Sequence, residues 1–235
     1  MRLLVNVEGQ TEERFVNLVL APFLWEKGFH DVSARLLGNP RNQSRGGVCG
    51  WQGARRDLIR RAKEDSALVQ TLMVDYYAMP SAGPAAWPGR SDAVGETASQ
   101  KAAYVEARIL KDLSSELSSD PGCGTVIPYV SIHEFESLLF SDTALLASSL
   151  RVPDLASRFQ GIRDGFPTPE DINDSPHTAP SKRIQTLVPG YQKVLNGVDC
   201  AIEIGLARMR AECPHFHSWL ERLEALAGIG VRRTS

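Results

Sequence analysis

The chain lacks most of the features that would place it at once. Its four cysteines, Cys49, Cys123, Cys200 and Cys213, show no CxxC spacing, which speaks against a secreted disulfide framework and for reduced, packed thiols. No segment approaches the ~20 apolar residues of a membrane span. The start, MRLLVNVEGQTEE, meets an acid at position 8 before any signal-like apolar stretch develops. A cytoplasmic protein without a membrane segment is therefore expected. A surplus of positive charge is missing too, since 26 Lys and Arg stand against 28 Asp and Glu. Nucleic-acid contact would then require a local patch rather than the net field. No internal period recurs, which excludes a solenoid. The glycine-rich GNPRNQSRGGVCGWQG lacks the Gly-Lys-Ser/Thr ending of a Walker loop, and EGQTE is not a dinucleotide fingerprint, so neither an NTPase nor a dehydrogenase is indicated.

What is present is a chain of 235 residues, long enough to bury a sizeable core without metal or disulfide support. Leu3 to Val7 read as a short strand that stops at Glu8-Gly9. The following TEERFVNLVLAPFLWEKG has helical spacing, with Thr11 as the expected cap. A second strand is expected over 31–37, a helix over 54–65, and a third strand, LVQTLMVD, ending on Asp75. Proline and glycine from Pro80 to Gly95 predict a surface loop or lid. A helix over 100–117 leads to the apolar run of IPYVSIHEFESLLF, read as a fourth strand. Strands separated by helices predict an α/β fold whose mostly parallel sheet is flanked by helices. After residue 142, seven prolines punctuate short helical segments, including one starting near Ser181 and a last one over 215–227. The expected organisation is a core over 1–142 and a helical C-terminal portion over 143–235 packed on it, with a soft boundary.

In such a sheet, functional groups gather beyond the carboxyl ends of the strands. Glu8, Asp75 and the group His133, Glu134 and Glu136 all fall there. Carboxylates brought together repel one another, and a divalent cation such as Mg2+ or Mn2+ relieves that repulsion while meeting substrate phosphate oxygens. Glu8, Asp75, Glu134 and Glu136 are the candidate metal ligands. Glu12 either joins them or favours the N-terminus of its helix. His133 is a candidate acid or phosphate contact, or a structural histidine. Tyr76 and Tyr77 offer either a stacking surface for a base or packing beneath the rim. CPHFH carries soft-ligand chemistry in Cys213, His215 and His217, but with no fourth ligand it reads as packing or capping.

One basic stretch stands out. Between Arg35 and Lys63, eight basic residues (Arg35, Arg41, Arg45, Arg55, Arg56, Arg60, Arg61 and Lys63) face a single acid, Asp57. It reads either as a solvated helix with a basic loop or as a polyanion contact, for which Arg55, Arg56, Arg60 and Lys63 are the candidates.

Five segments in order, VEGQTE, DYYAMP, IPYVSIHEFESLLF, PEDINDSPHTAPSKR and CPHFHSWL, resemble the small Toprim-like proteins of a family formerly of unknown function (DUF4276 type). That group is similar to the Toprim nuclease effector of the PARIS anti-phage defence system. The resemblance implies a Toprim-like sheet, with Glu8 matching the glutamate after the first strand and Asp75 the first aspartate of an Asp-x-Asp pair. Tyr77 stands where the second aspartate would be, and Glu134 or Glu136 would supply the missing carboxylate. It further implies Mg2+-dependent phosphodiester cleavage of RNA or DNA under an ATPase partner, and is compatible with a homo-oligomer. The alternatives are a catalytically degenerate binding or regulatory module, and a phosphoryl-transfer enzyme acting on small substrates.

Overall fold

The computed structural model describes residues 1–37, 49–118, 122–172 and 178–233, the last five by backbone alone. The expected glycine-rich stretch over 38–48, with Arg41 and Arg45, and the expected loop over 173–177 lie outside the described residues.

Leu3, Val5 and Val7 alternate in β1 (Arg2–Val7) and are fully buried. β1 forms parallel ladders with β2 (Asp31–Leu36) on one side and β3 (Leu68–Asp75) on the other. β4 (Thr125–Ile127) and β5 (Val130–Ser131) then pair in turn with the two ends of β3, also in parallel. The order is β2-β1-β3-β4, with β5 beside the far end of β3. The single fourth strand expected from IPYVSI is thus two short ones. Pro128, between them, has no N–H to give to a ladder, and the adjoining Tyr129 N–H reaches the Leu72 carbonyl at 3.2 Å.

Both faces of the sheet are covered, as the apolar content of its strands requires. On one face lie α1 (Gln10–Phe15) and α2 (Ala21–Glu26), joined by a π turn over Val16–Leu20. There the Ala21 N–H bonds the Val16 carbonyl, one residue farther back than in an α-helix, and the next residue, Pro22, has no N–H at all. The cap differs from expectation. Gly9 is the N-cap, whereas Thr11 lies inside α1 and is buried. On the opposite face, α3 (Trp51–Glu64) and α4 (Ala98–Leu117) enclose Leu72, Val74, Val126 and Val130. α4 opens on a complete capping box between Thr97 and Gln100. The proline-rich loop after β3 is a surface loop anchored on this face: Trp87 is buried against Trp51, with ring centroids 5.0 Å apart.

The C-terminal portion comprises α5 (Thr143–Ser149), α6 (Ala156–Arg163), α7 (Pro180–Leu187), α8 (Val198–Glu212) and α9 (Pro214–Arg233). α8 is kinked at Gly205, whose φ of 76° suits glycine. Phe216, Trp219, Leu220 and Leu223 of α9 join the same apolar cluster as Leu3, Val5 and Phe15, so this portion completes the core of the sheet domain. Two polar contacts fix it. Trp219 Nε1 donates to Thr71 Oγ1 of β3 at 2.9 Å. The buried Glu106 of α4 accepts from the Val130 N–H at 2.9 Å and from Arg222 at 3.1 Å, and pairs with His215 Nε2 at 2.8 Å. No helix among the described residues is long and apolar enough to cross a membrane.

Removing Glu106 leaves a buried backbone donor and two side-chain donors without their acceptor. Glu106→Ala is expected to cost about 3 kcal/mol, seen as a lower urea midpoint in one cooperative transition. Glu116→Ala, on the exposed side of the same helix, should leave the midpoint nearly unchanged.

Candidate functional site

The register of the sheet places the acids. Val7 is opposite Met73, so Glu8 follows β1 level with the last residues of β3, and Asp75 is opposite Ser131 of β5. Glu8 Oε2 accepts the Asp75 backbone N–H at 3.2 Å. Glu12 comes from the first turn of α1 and is buried. Gly9 permits this approach, because a Cβ there would stand 3.0 Å from Glu12 Oε2.

Glu134 and Glu136 reach the same place from different backbone. Glu134 is extended, with φ −146° and ψ 158°, whereas Glu136 lies in a 3-10 segment over Phe135–Ser141. Both converge on Lys193, whose Nζ is 2.9 Å from Glu134 Oε1 and 3.3 Å from Glu136 Oε2. Glu134 Oε2 also accepts the Ser181 N–H in the first turn of α7 at 2.9 Å, and Glu136 Oε1 accepts the Tyr191 hydroxyl at 3.3 Å. Lys193 opens a π turn over Lys193–Gly197 and sits in PGYQKVLNG. No spacing or motif there marks the lysine, and neither it nor Tyr191 is among the residues expected from sequence. Only the tertiary fold brings them to the acids.

The electrostatics follow from five carboxylates sharing one ammonium. Burial, and then the neighbouring Glu12, pushes Glu8 up to about 7, against the opposing pull of the Asp75 N–H and Lys193. Asp75 is raised well above the usual carboxylate range by burial, then by Glu8 and Glu12. Glu12 is raised by burial. Burial also takes Glu136 to about 7 despite Lys193. Glu134 resists the same burial and ends below its ordinary value, because Lys193 and the Ser181 N–H stabilise its charge. Burial likewise works against the Lys193 ammonium, but Glu136 and Glu134 outweigh it and raise the lysine. Lys193 is thus a fixed cation, Glu8 and Glu136 exchange protons at about 7, and Asp75 keeps its proton well above the usual carboxylate range.

The donors Glu8, Glu12 and Asp75 are hard oxygens, chemically suited to Mg2+ or Mn2+. Among the described residues, however, no group of three or more His, Cys, Asp or Glu side chains is drawn into a metal-binding arrangement. It is Lys193 that offsets the HEFE acids. His133 follows β5 at the same rim and is 9% exposed.

The basic candidates lie elsewhere. α3 begins beside Trp87 and ends beside Asp65, which pairs with Arg2 at the amino end of β1. It therefore runs away from the acidic rim. Arg55 is bound by Asp112 at 2.8 Å and Glu116 at 2.7 Å, Lys63 by Glu116 at 3.3 Å, and Arg60 by Glu64 at 2.9 Å. Arg56 is exposed. The structure does not bring these four together with Glu8 and Asp75. CPHFH is structural: Cys213 contacts Ser141 Oγ at 3.3 Å, His215 turns to Glu106, and His217 pairs with Glu221 at 3.3 Å.

The chain belongs to the family described as a domain of unknown function, DUF4276, which matches residues 7–224. No curated protein and no solved structure matches it significantly.

Glu8 binds its proton more tightly folded than unfolded, so its contribution favours folding below about 4.5 and is lost as pH rises through about 7. Glu8→Gln keeps the acceptor for the Asp75 N–H and removes the charge. It should raise unfolding stability at pH 8 by on the order of 1–3 kcal/mol, with little change at pH 4. Chemical denaturation at both pH values checks this. A variant less stable than wild type at pH 8 would mean that its neighbours stabilise the Glu8 charge.

Proposed function

We propose that this member of the DUF4276 family is a Mg2+-dependent, phosphodiester-cleaving nuclease of Toprim type. One observation carries the reading: at the ends of two adjacent parallel strands the Glu8 carboxylate accepts the backbone N–H of Asp75, and both acids have their proton affinities raised by burial and by neighbouring acids. Sites of that kind are costly to build and are typical of metal-assisted or acid–base chemistry. The sequence resemblance to Toprim proteins points the same way. It also extends the proposal to a defence effector acting on RNA or DNA under the control of an ATPase partner.

In this reading Glu8, Asp75 and Glu12 would hold the cation, with Glu12 and the HEFE acids standing in for the aspartate replaced by Tyr77. Mg2+ or Mn2+ would supply the positive charge that activates water and stabilises the leaving oxygen. The chain's own residues do the rest. Glu8 and Asp75, whose charges burial disfavours without a cation, would gain most from binding it. Lys193 holds Glu134 and Glu136 in place and presents a permanent positive charge to a phosphate. His133 lies at the same rim as a candidate proton donor to the leaving oxygen.

A second reading has its own support. Lys193 already pairs with two of the acids, and Tyr77 is a neutral group that ligates Mg2+ poorly. Both features fit a binding or regulatory module that no longer cleaves.

Cleavage of labelled DNA and structured RNA, with and without a co-encoded ATPase, separates the two. Glu8→Gln and Asp75→Asn should each reduce Mg2+-dependent cleavage by at least about 100-fold with the circular-dichroism spectrum unchanged, and chelation by EDTA should abolish it. Absence of cleavage under all these conditions, with partner binding unaffected by the double substitution, establishes the second reading instead.

A further inference from the structure

The form of nucleic acid that would suit this rim is open, and this inference rests on the phosphodiesterase reading above. Duplexes are held chiefly through many phosphate contacts by Lys and Arg. Among the described residues, the acids of the rim gather around Lys193, and Arg55, Arg60 and Lys63 of α3 are already ion-paired. A contact that does not depend on charge would add to binding there.

The two tyrosines after Asp75 divide the work. Tyr76 is clamped: the Arg90 guanidinium lies 3.9 Å from its ring centroid, Arg90 Nε donates to its carbonyl at 2.9 Å, and its hydroxyl donates to the Arg90 carbonyl at 3.2 Å. These contacts fix the single 3-10 turn over Tyr76–Ala78. Tyr77, the next residue, is 42% exposed and makes no hydrogen bond or ring contact with the described residues. A large, partly exposed aromatic therefore stands on this clamped turn, two residues from Asp75.

We propose that Tyr77 is a stacking platform for an unpaired base, so that the substrate is single-stranded nucleic acid or an unpaired loop or end. The stacked base would position the adjoining phosphate at Glu8 and Asp75. Every base presents a π face when unpaired and hides it in a duplex, which makes such a platform selective for strand state and tolerant of sequence.

The test is equilibrium binding by the full chain carrying Glu8→Gln, in Mg2+, to fluorescent 12-mers of DNA and of RNA: single-stranded, duplex, and single-stranded with abasic sites. Single strands should bind more tightly than duplexes. Adding Tyr77→Ala should weaken single-strand binding about 5- to 100-fold, while Tyr77→Phe and Tyr77→Trp retain it. The abasic strand should bind weakly and not respond to Tyr77→Ala. The extra indole fluorescence of Tyr77→Trp should be quenched by the single strand only. Equal affinity of Tyr77→Ala and its parent, equal loss on duplex and abasic strand, or an unquenched indole overturns the proposal. Cleavage by the wild type together with undiminished single-strand binding by the Tyr77→Ala variant refutes the stacking role alone. Base-dependent binding without cleavage refutes the nuclease reading alone.

Discussion

Lys193 sits where five carboxylates converge, and the shape of the rim depends on that one ammonium. Without it, Glu134 and Glu136 would be two charges at a largely buried site with only Ser181 and Tyr191 to hydrogen-bond them, an arrangement that burial strongly disfavours. With it, the two acids are fixed, and the remaining excess negative charge falls on Glu8, Glu12 and Asp75. These three respond by taking up protons, as their raised pKa values record. A cluster built this way has an unmet demand for positive charge at neutral pH, which a divalent cation is able to supply.

The same lysine explains why the C-terminal portion cannot be regarded as an appendage. It comes from beyond α7, whose first turn also caps Glu134, and these elements reach the rim only because α8 and α9 are set against the sheet. α9 is in turn held by Trp219 on Thr71 and by His215 and Arg222 on Glu106. Packing far from the rim thus determines which charges meet there.

Much of this was legible in the sequence where local pattern decides the outcome. The apolar run of LVQTLMVD ends on Asp75 in the structure as it does in the sequence, and Glu8 likewise closes β1. The α/β alternation follows from strands buried on both faces. The break at Pro128 was visible as a residue type but hidden inside an apolar run. Non-local partners escaped. Lys193 carries no motif, and the acids that neutralise α3, Asp112 and Glu116, belong to a helix some fifty residues farther along the chain. A count of charges along the sequence therefore does not reveal that Arg55 and Lys63 are ion-paired to another helix. Glu134 and Glu136, two apart, meet at one lysine although their backbones differ, which no single periodicity describes.

The central claim is that the carboxylates of the rim form a cation site rather than a purely internal ion-pair cluster. Anomalous scattering from crystals grown in Mn2+ tests it most directly. The account predicts a Mn2+ peak within ligand distance, about 2–2.5 Å, of Glu8 and Asp75 oxygens, absent from Glu8→Gln crystals. Fully ordered carboxylates at the rim, still gathered around Lys193 and without a Mn2+ peak at millimolar ion, would contradict it.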